Sequence, residues 1–445
     1  MLQTPLSAVI PGFVMAFTGR HLIITRIMGA VLHAGIATLM YRIAKRFGGG
    51  LFLSMIPGCG FILLFIFNVF FEYSGLIVFL EVLLIDLDTR VLNGERKPDA
   101  KFLILSGLLG GMAILSKQSF GLFIAAASWL SAAFVSQKHL RAFFLRGLGS
   151  ALFCLWMLFY FLLTGTFDDC IDLCLRGIST FAKPWYYWVY MSSGMEHFWQ
   201  GFFLPPVFMC GVGFAVATRR EKIGKMTGIA LWYILFSFIN MYPLANSFHI
   251  NTCFGPALVL LVPVTLALTN PARGKKSRLA RKGLNLLSGI GVLAMLVVCV
   301  IVRPIDVLVT NGLRMSFEYK HYEGIFLSSS IKENMAALEP VITKALEEDR
   351  EIYILDNTAE LYFVPYDIYH NHLDMFLYGN SGGKSPEDIL EESYAPGAVY
   401  LMAGDDRKNT QFPWTEMRAF KKRLEQQEDV GPFEMYTAPI NNTTP

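Results

Sequence analysis

Charge is what this sequence has least of. Only 16% of its 445 residues are Asp, Glu, Lys or Arg, and 54% are hydrophobic, whereas soluble domains carry roughly 25% charged residues. That scarcity excludes a soluble globule for most of the chain. Cysteine is scarce as well, and Cys59, Cys154, Cys210, Cys253 and Cys299 all lie inside apolar runs. They read as small core residues, and a disulfide framework is excluded. No cleavable signal peptide is expected ahead of the first span. A nucleotide fingerprint is also missing, because YGNSGGKS has Tyr378 where GxxxxGK[ST] needs its first glycine. The net charge of +3 names no partner, and no nucleic acid is expected to bind. In a membrane protein the positions of Lys and Arg carry the information.

What is present is a series of long apolar runs. Leu22 to Tyr41 has about the 20 residues that a bilayer-crossing helix needs, and it ends on Arg42, Lys45 and Arg46. Further spans are expected at Leu51 to Phe71, Gly75 to Asp88, Phe102 to Leu115, Phe120 to Val135 and Gly147 to Gly165. Four more follow at Gly201 to Ala217, Thr227 to Tyr242, Ile250 to Thr269 and Leu284 to Val302. The chain is thus expected to be a polytopic α-helical membrane protein of about ten transmembrane helices. Residues 1–21, broken by Pro5, Pro11 and Gly12, are expected to form an outer loop and an interfacial half-helix.

Alternate loops differ sharply in basic residues. One set holds Arg42, Lys45, Arg46; Arg90, Arg96, Lys97, Lys101; Lys138, Arg141, Arg146; Arg219, Arg220, Lys222, Lys225; and the run from Arg273 to Lys282. The opposite short loops hold only Lys117, Arg176 and Lys183. The positive-inside rule puts the first set in the cytoplasm. The N-terminus, the loop Thr166 to Gln200, the loop Pro243 to His249 and everything after Arg303 are then outside, in a multi-pass protein of the cell membrane.

The long outer loop opens with an amphipathic stretch, FDDCIDLCLRGISTF, suited to lying flat on the membrane, and continues into the aromatic cluster KPWYYWVYMSSGMEHFW. Beyond residue 303 the pattern becomes charged and regular. Helices are expected at Ile331 to Glu348, Pro386 to Glu392 and Trp414 to Gln427, and strands at Glu351 to Leu355, Ala398 to Met402 and Phe433 to Thr437. Such alternation implies a C-terminal extracytoplasmic α/β domain, residues 303–445, with a short parallel sheet. Residues 22–302 are then the membrane domain.

Four pieces carry a family resemblance: TPLSAVIPGFVMAFTGRHLIITRIMGAVLHAGIATLMYRIAKRFGG, the hairpin GLLGGMAILSKQSFGLFIAA, the loop MYPLANSFHINTCFGPALVLL, and the terminal outer α/β domain. As a set they resemble the GT-C membrane glycosyltransferases, in particular the bacterial relatives of the dolichyl-phosphate-mannose protein mannosyltransferases (family 39-like). The resemblance implies an enzyme that moves one sugar from a polyprenyl-phosphate carrier to a glycan, lipid or protein acceptor on the outer face. It also implies an acidic residue in the first outer loop, just after a first transmembrane helix. The sequence begins at MLQTP, which matches the end of that loop, so the first helix and the acidic motif are not in it. Either the start lies further upstream or the usual base has been lost.

On physical grounds, such a transfer needs a carboxylate to deprotonate the acceptor and cations or donors to stabilise the departing phosphate. Lys117, at the tip of a tight hairpin, breaks the charge bias and matches the family's hairpin lysine; snorkelling is its plainer reading. Gln118 stands beside it. His249, with Tyr242 and Asn246, sits at the mouth of a span, where a histidine is ordinarily just solvated. Arg20 and Arg26 could meet lipid phosphate, though snorkelling accounts for them too. Glu81, deep in GLIVFLEVLLIDL, has to face other helices. Glu72, Asp168 and Asp169 are the substitute acids.

No metal site is assigned, and a divalent cation is the one cofactor left open. DDCIDLC has too few thiols and no histidine, while His370, His372 and Asp374 of HNHLD fit a strand or turn surface as readily as a cation site. NNTT at the terminus would accept a glycan only in a secretory compartment. In a different class, a non-catalytic lipid-linked-glycan binding or transport component fits the absent acid. A polysaccharide polymerase or ligase is disfavoured by arginine-poor outer loops, and a channel by the few paired charges in the spans.

Overall fold

The structure is a computed structural model. It describes residues 6–64, 71–172, 176, 204–217, 222–241, 249, 252–253, 255–269, 275–297, 301–302, 305, 309, 313–356, 358–370, 373, 376–377, 383–404 and 412–440. Two regions with separate cores result: a helical bundle, then an α/β unit.

Among the described residues, four helices are long and apolar enough to cross a membrane: Leu22–Arg46, Gln118–Val135, His139–Thr164 and Lys222–Asn240. Shorter apolar helices accompany them, at Leu6–Thr18, Leu51–Leu63, Ala100–Ser116, Pro256–Ala267 and Leu286–Val297. This is a helical membrane protein. We name the helices used below α1 (Leu6–Thr18), α2 (Leu22–Arg46), α3 (Leu51–Leu64), α4 (Tyr73–Asn93), α5 (Ala100–Ser116), α6 (Gln118–Val135) and α7 (His139–Thr164). After them come α8 (Phe167–Ile171), α9 (Leu204–Ala217) and α10 (Lys222–Ser237).

Helix α4 is the centre of the bundle. It carries Glu81, Asp86, Asp88 and Arg90, yet Leu76 to Val78, Leu80 to Val82, Leu84 to Asp86 and Asp88 are all buried by neighbouring helices. Helix α7 does the opposite: Phe144, Leu155, Trp156, Phe159 and Leu163 are exposed. An exposed apolar band of that kind on a long helix faces lipid.

The bundle has two chemically distinct ends. At one, which we call the basic end, Asp86 accepts from Arg46 at 2.7 Å and pairs with Arg90 at 2.8 Å, and Arg46 also holds Glu95 at 3.0 Å. At the other, which we call the hairpin end, the single residue Lys117 joins α5 to α6. That turn is tight because Gly121 has no side chain: a Cβ there would lie 1.8 Å from the Ala113 carbonyl. Gly107 and Gly149 let α5 and α7 touch in the same way, since a Cβ on either would meet the partner backbone at 2.2 Å.

Several expected boundaries move. Residues 1–21 contain a continuous 13-residue helix that runs through Pro11. The expected span at Gly147 begins at His139, so Arg146 is no loop residue; it is fully buried inside α7. The basic run expected as a loop after Thr269 is largely helical, because its helix starts at Lys275. The expected span Ile250 to Thr269 contains a 3-10 turn at Pro256–Leu260 ahead of a helix at Leu261–Thr269. Here Pro256 is preorganised for a first turn.

The C-terminal unit matches the expected strand and helix positions, with two corrections. Its sheet is mixed rather than parallel: strands β3 (Ile352–Leu355), β4 (Val399–Ala403), β5 (Glu425–Gln426) and β6 (Phe433–Thr437) are ordered β3-β4-β6-β5. Among the described strands, β3 and β4 run parallel and the β4–β6 and β6–β5 pairs antiparallel. A separate two-stranded ribbon pairs β1 (Arg314–Met315) with β2 (Phe326–Leu327). The helix from Trp414 ends at Lys421, and the residues expected to extend it supply β5. Alternation explains this, because Arg423 to Gln427 lacks the apolar stripe a further helical turn would bury.

This unit docks on the start of α2. Leu22 donates its backbone N–H to the His321 carbonyl at 3.0 Å, His21 meets Glu323 at 3.3 Å, and Leu22 and Ile23 pack on the domain's core. Asp367 draws together Lys320, His321 and Arg20. The hairpin end and the α/β unit are therefore on the same side of the bundle.

Candidate functional site

At the hairpin end, among the described residues, Lys117 carries a charge into the protein. As the junction between two helices it has an extended backbone, and its side chain lies between α4 and the 3-10 turn Phe238–Met241 that follows α10. The ammonium donates to Asn240 Oδ1 at 2.5 Å and lies 4.8 Å from the centre of the Tyr73 ring. Asn240 in turn sits against the His249 carbonyl, 3.5 Å from Nδ2. A lysine at the tip of a hairpin can snorkel; this one is turned inward, onto an amide and an aromatic face.

Glu72 faces the same space. It is the N-cap of α4, with no side-chain cap bond, and the backbone before it is pinned by Phe71 N–H to the Thr25 carbonyl of α2 at 2.9 Å. Burial pushes its carboxyl up to about 7, while the charge of Lys117 acts the other way. Burial likewise presses Lys117 down to about 8, opposed by Cys253 and then by Glu72. The two are coupled without a direct ion pair among the described residues. His249 is pressed down to about 3, by burial first and then by Lys117, so its imidazole is neutral at any ordinary pH.

These shifts have opposite consequences for stability. Between pH 4.5 and about 7 the fold keeps a proton on Glu72 that the unfolded chain releases, so stability falls as pH rises. Between about 8 and 10.5 the unfolded chain keeps a proton on Lys117 that the fold has lost, so stability rises. The pair is thus expected to produce a stability minimum near pH 7 to 8. Denaturation of detergent-solubilised protein across this range checks it, and Glu72→Gln should remove the acidic limb alone.

The structure sorts the other candidates. Gln118 is half-buried at the first position of α6, next to Lys117. Arg26 is half-buried on α2, one residue beyond Thr25. Arg20 is exposed and reaches Asp367 at 3.8 Å, which places it at the domain junction rather than in the Lys117 cluster. Asp168 and Asp169 are exposed on α8 and do not join the cluster either. Tyr242 and Asn246 lie outside the described residues, as do His372, Asp374 and the NNTT segment. His370 bonds the Ile352 carbonyl at 2.7 Å and its ring lies tilted against Tyr353, 4.4 Å between centroids, which is a structural role. Lys384 and Ser385 do not form a phosphate loop: Ser385 caps the helix Pro386–Glu392, and Lys384 pairs with Glu392 at 2.5 Å.

Asn240 is the site residue the sequence reading missed. Its signal is a lone amide at the end of the apolar run LWYILFSFIN, where an unpaired polar group would be costly. Glu81 lies about 13 Å further along α4 than Glu72, fully buried, with neither carboxyl oxygen hydrogen-bonded among the described residues. It stands apart from Lys117. Among the described residues no cluster of three or more His, Cys, Asp or Glu could hold a metal.

A second polar cluster, nearer the basic end, is structural. Arg146 and Asp88 are both fully buried and paired. Arg146 also donates to the Ser128 carbonyl and to Ser131 Oγ, each at 2.6 Å, and Tyr233 donates to Asp88 at 2.9 Å. The network ties α4, α6, α7 and α10 together. Comparison with known proteins identifies no family: no family model matches the chain, and no curated protein matches it.

Proposed function

We propose that the chain is a membrane glycosyltransferase of GT-C-like architecture, with about ten membrane-crossing helices. It takes a sugar from a polyprenyl-phosphate carrier and passes it to an envelope glycan, lipid or protein. The basic end faces the cytoplasm, as the bias of Lys and Arg requires, and the hairpin end and α/β unit face outside. One observation carries the reading. Lys117, half-buried and held by Asn240 and the Tyr73 ring, shares one end of the helical bundle with the half-buried Glu72 at the start of α4, its ammonium pressed down to about 8 and the carboxyl pushed up to about 7 by burial.

Each group has a role in that chemistry. The Lys117 ammonium, held by Asn240 and Tyr73, stabilises the negative charge that grows on the lipid phosphate as the anomeric bond breaks. Glu72, ionised near neutrality, accepts the proton of the incoming hydroxyl. Neutral His249 orients without taking charge. The α/β unit, docked at the same end through Leu22 and His321, shapes the acceptor's approach.

The test is sugar transfer in membranes carrying the chain, with radiolabelled polyprenyl-phosphate sugars and native envelope acceptors. Transfer that depends on both Lys117 and Glu72 supports the reading. Lipid-phosphate binding without transfer by the chain, or by a form extended upstream, would instead make it a binding component.

A further inference from the structure

The basic end holds a cavity that the proposed chemistry does not use. It measures about 520 Å³ and is lined by Leu105, Leu109, Met112 and Phe153 along its walls, with Arg90 and Arg96 at its mouth. From Phe102 to Met112 the wall follows α5 for about 15 Å. That is one leaflet of a hydrocarbon core about 30 Å thick. Leu105 is 48% exposed, so the cavity opens sideways, between helices, toward the surrounding lipid.

Its mouth has an excess of positive charge. Arg90 spends one nitrogen on Asp86 at 2.8 Å, while its Nε is buried and has no partner among the described residues. Arg96 is exposed and has no ion pair among the described residues, and Lys97 and Lys101 stand exposed in the same segment. The nearby acids are already engaged: Asp86 by three arginines, Glu95 by Arg46, and Asp99 by the N-terminus of α5. A largely apolar groove one leaflet long with cations at its rim matches a lipid with a phosphate headgroup and one chain laid along the helices.

From this we infer that the groove is a binding site for an anionic phospholipid of the leaflet at the basic end. It is separate from the Lys117 site, at the other end of the bundle, and independent of whether that site transfers sugar. A bound chain would fill the gap between α4, α5 and α7.

Native mass spectrometry of the full chain in detergent tests this, with phosphatidylglycerol, phosphatidylcholine of the same acyl chains, and a polyprenyl phosphate as probes. Phosphatidylglycerol should be retained at least tenfold more tightly than phosphatidylcholine. Arg96→Gln should reduce that preference about fivefold, the effect of one surface arginine near lipid. Leu105→Trp, which narrows the groove from its open side, should lower retention of phosphatidylglycerol while leaving the melting temperature of the lipid-free protein within a few degrees. Equal retention of the two phospholipids, or a preference untouched by both variants, would overturn the inference. So would preferential capture of polyprenyl phosphate in the groove, read as its loss in Leu105→Trp.

Discussion

Replacing Lys117 with methionine is expected to lower sugar transfer by about 100- to 1000-fold, the usual effect of deleting one charged donor from a preorganised site. The side chain is nearly isosteric in length, so packing against Tyr73 survives while the charge and the bond to Asn240 are lost. Stability should rise or hold, because a buried ammonium pressed down to about 8 is itself a burden on the fold. Lys117→Arg should not restore full activity. A planar guanidinium cannot occupy a point-charge position between an amide and a ring without displacing one of them. Transfer rates in membranes with matched protein amounts measure both variants, and a loss below about threefold for Lys117→Met would remove Lys117 from the site.

The largest effect on stability should come from the other end of the bundle. Arg146→Met leaves Asp88 as a buried carboxylate supported only by hydroxyl groups from Ser131 and Tyr233. Removing one member of a buried pair typically costs about 3 to 5 kcal/mol, against a total of roughly 5 to 15 kcal/mol for an ordinary fold. The variant should therefore accumulate poorly and melt far below the parent. A double change, Arg146→Met with Asp88→Leu, removes both charges and should recover most of the loss. Thermal melts in detergent decide this. If the double variant is as unstable as the two single losses summed, the two residues act independently and the network does not exist as described.

Much of the membrane domain could be read from the chain because lipid imposes a simple rule: long apolar runs must be helical. The ends of those runs were harder. Arg146 looked like a loop residue because charge counts against burial, and nothing local announces that Asp88, 58 positions earlier, will pair with it. The same holds for Asn240, whose meaning depends on a lysine in a different hairpin. Lys117 and Glu72 were visible individually, one as an exception to the charge bias and one as an acid at a helix start. Their convergence is a tertiary fact, produced by α4 packing beside the α5–α6 turn that Gly121 makes possible. In the α/β unit, strand positions followed from alternating apolar residues. Direction did not, since a strand's pattern is the same read parallel or antiparallel.

The proton inventory of the Lys117 site offers the most direct test. In the proposed mechanism transfer requires Glu72 ionised and Lys117 charged, a state favoured between about 7 and about 8. Sugar transfer by the wild-type protein, measured at saturating carrier from pH 5.5 to 9.5, should trace a narrow bell with its limbs near those two values, and Glu72→Gln should abolish the acidic limb together with most of the rate. A flat profile over that range, with Glu72→Gln as active as the parent, would contradict the assignment of this pair to the chemistry.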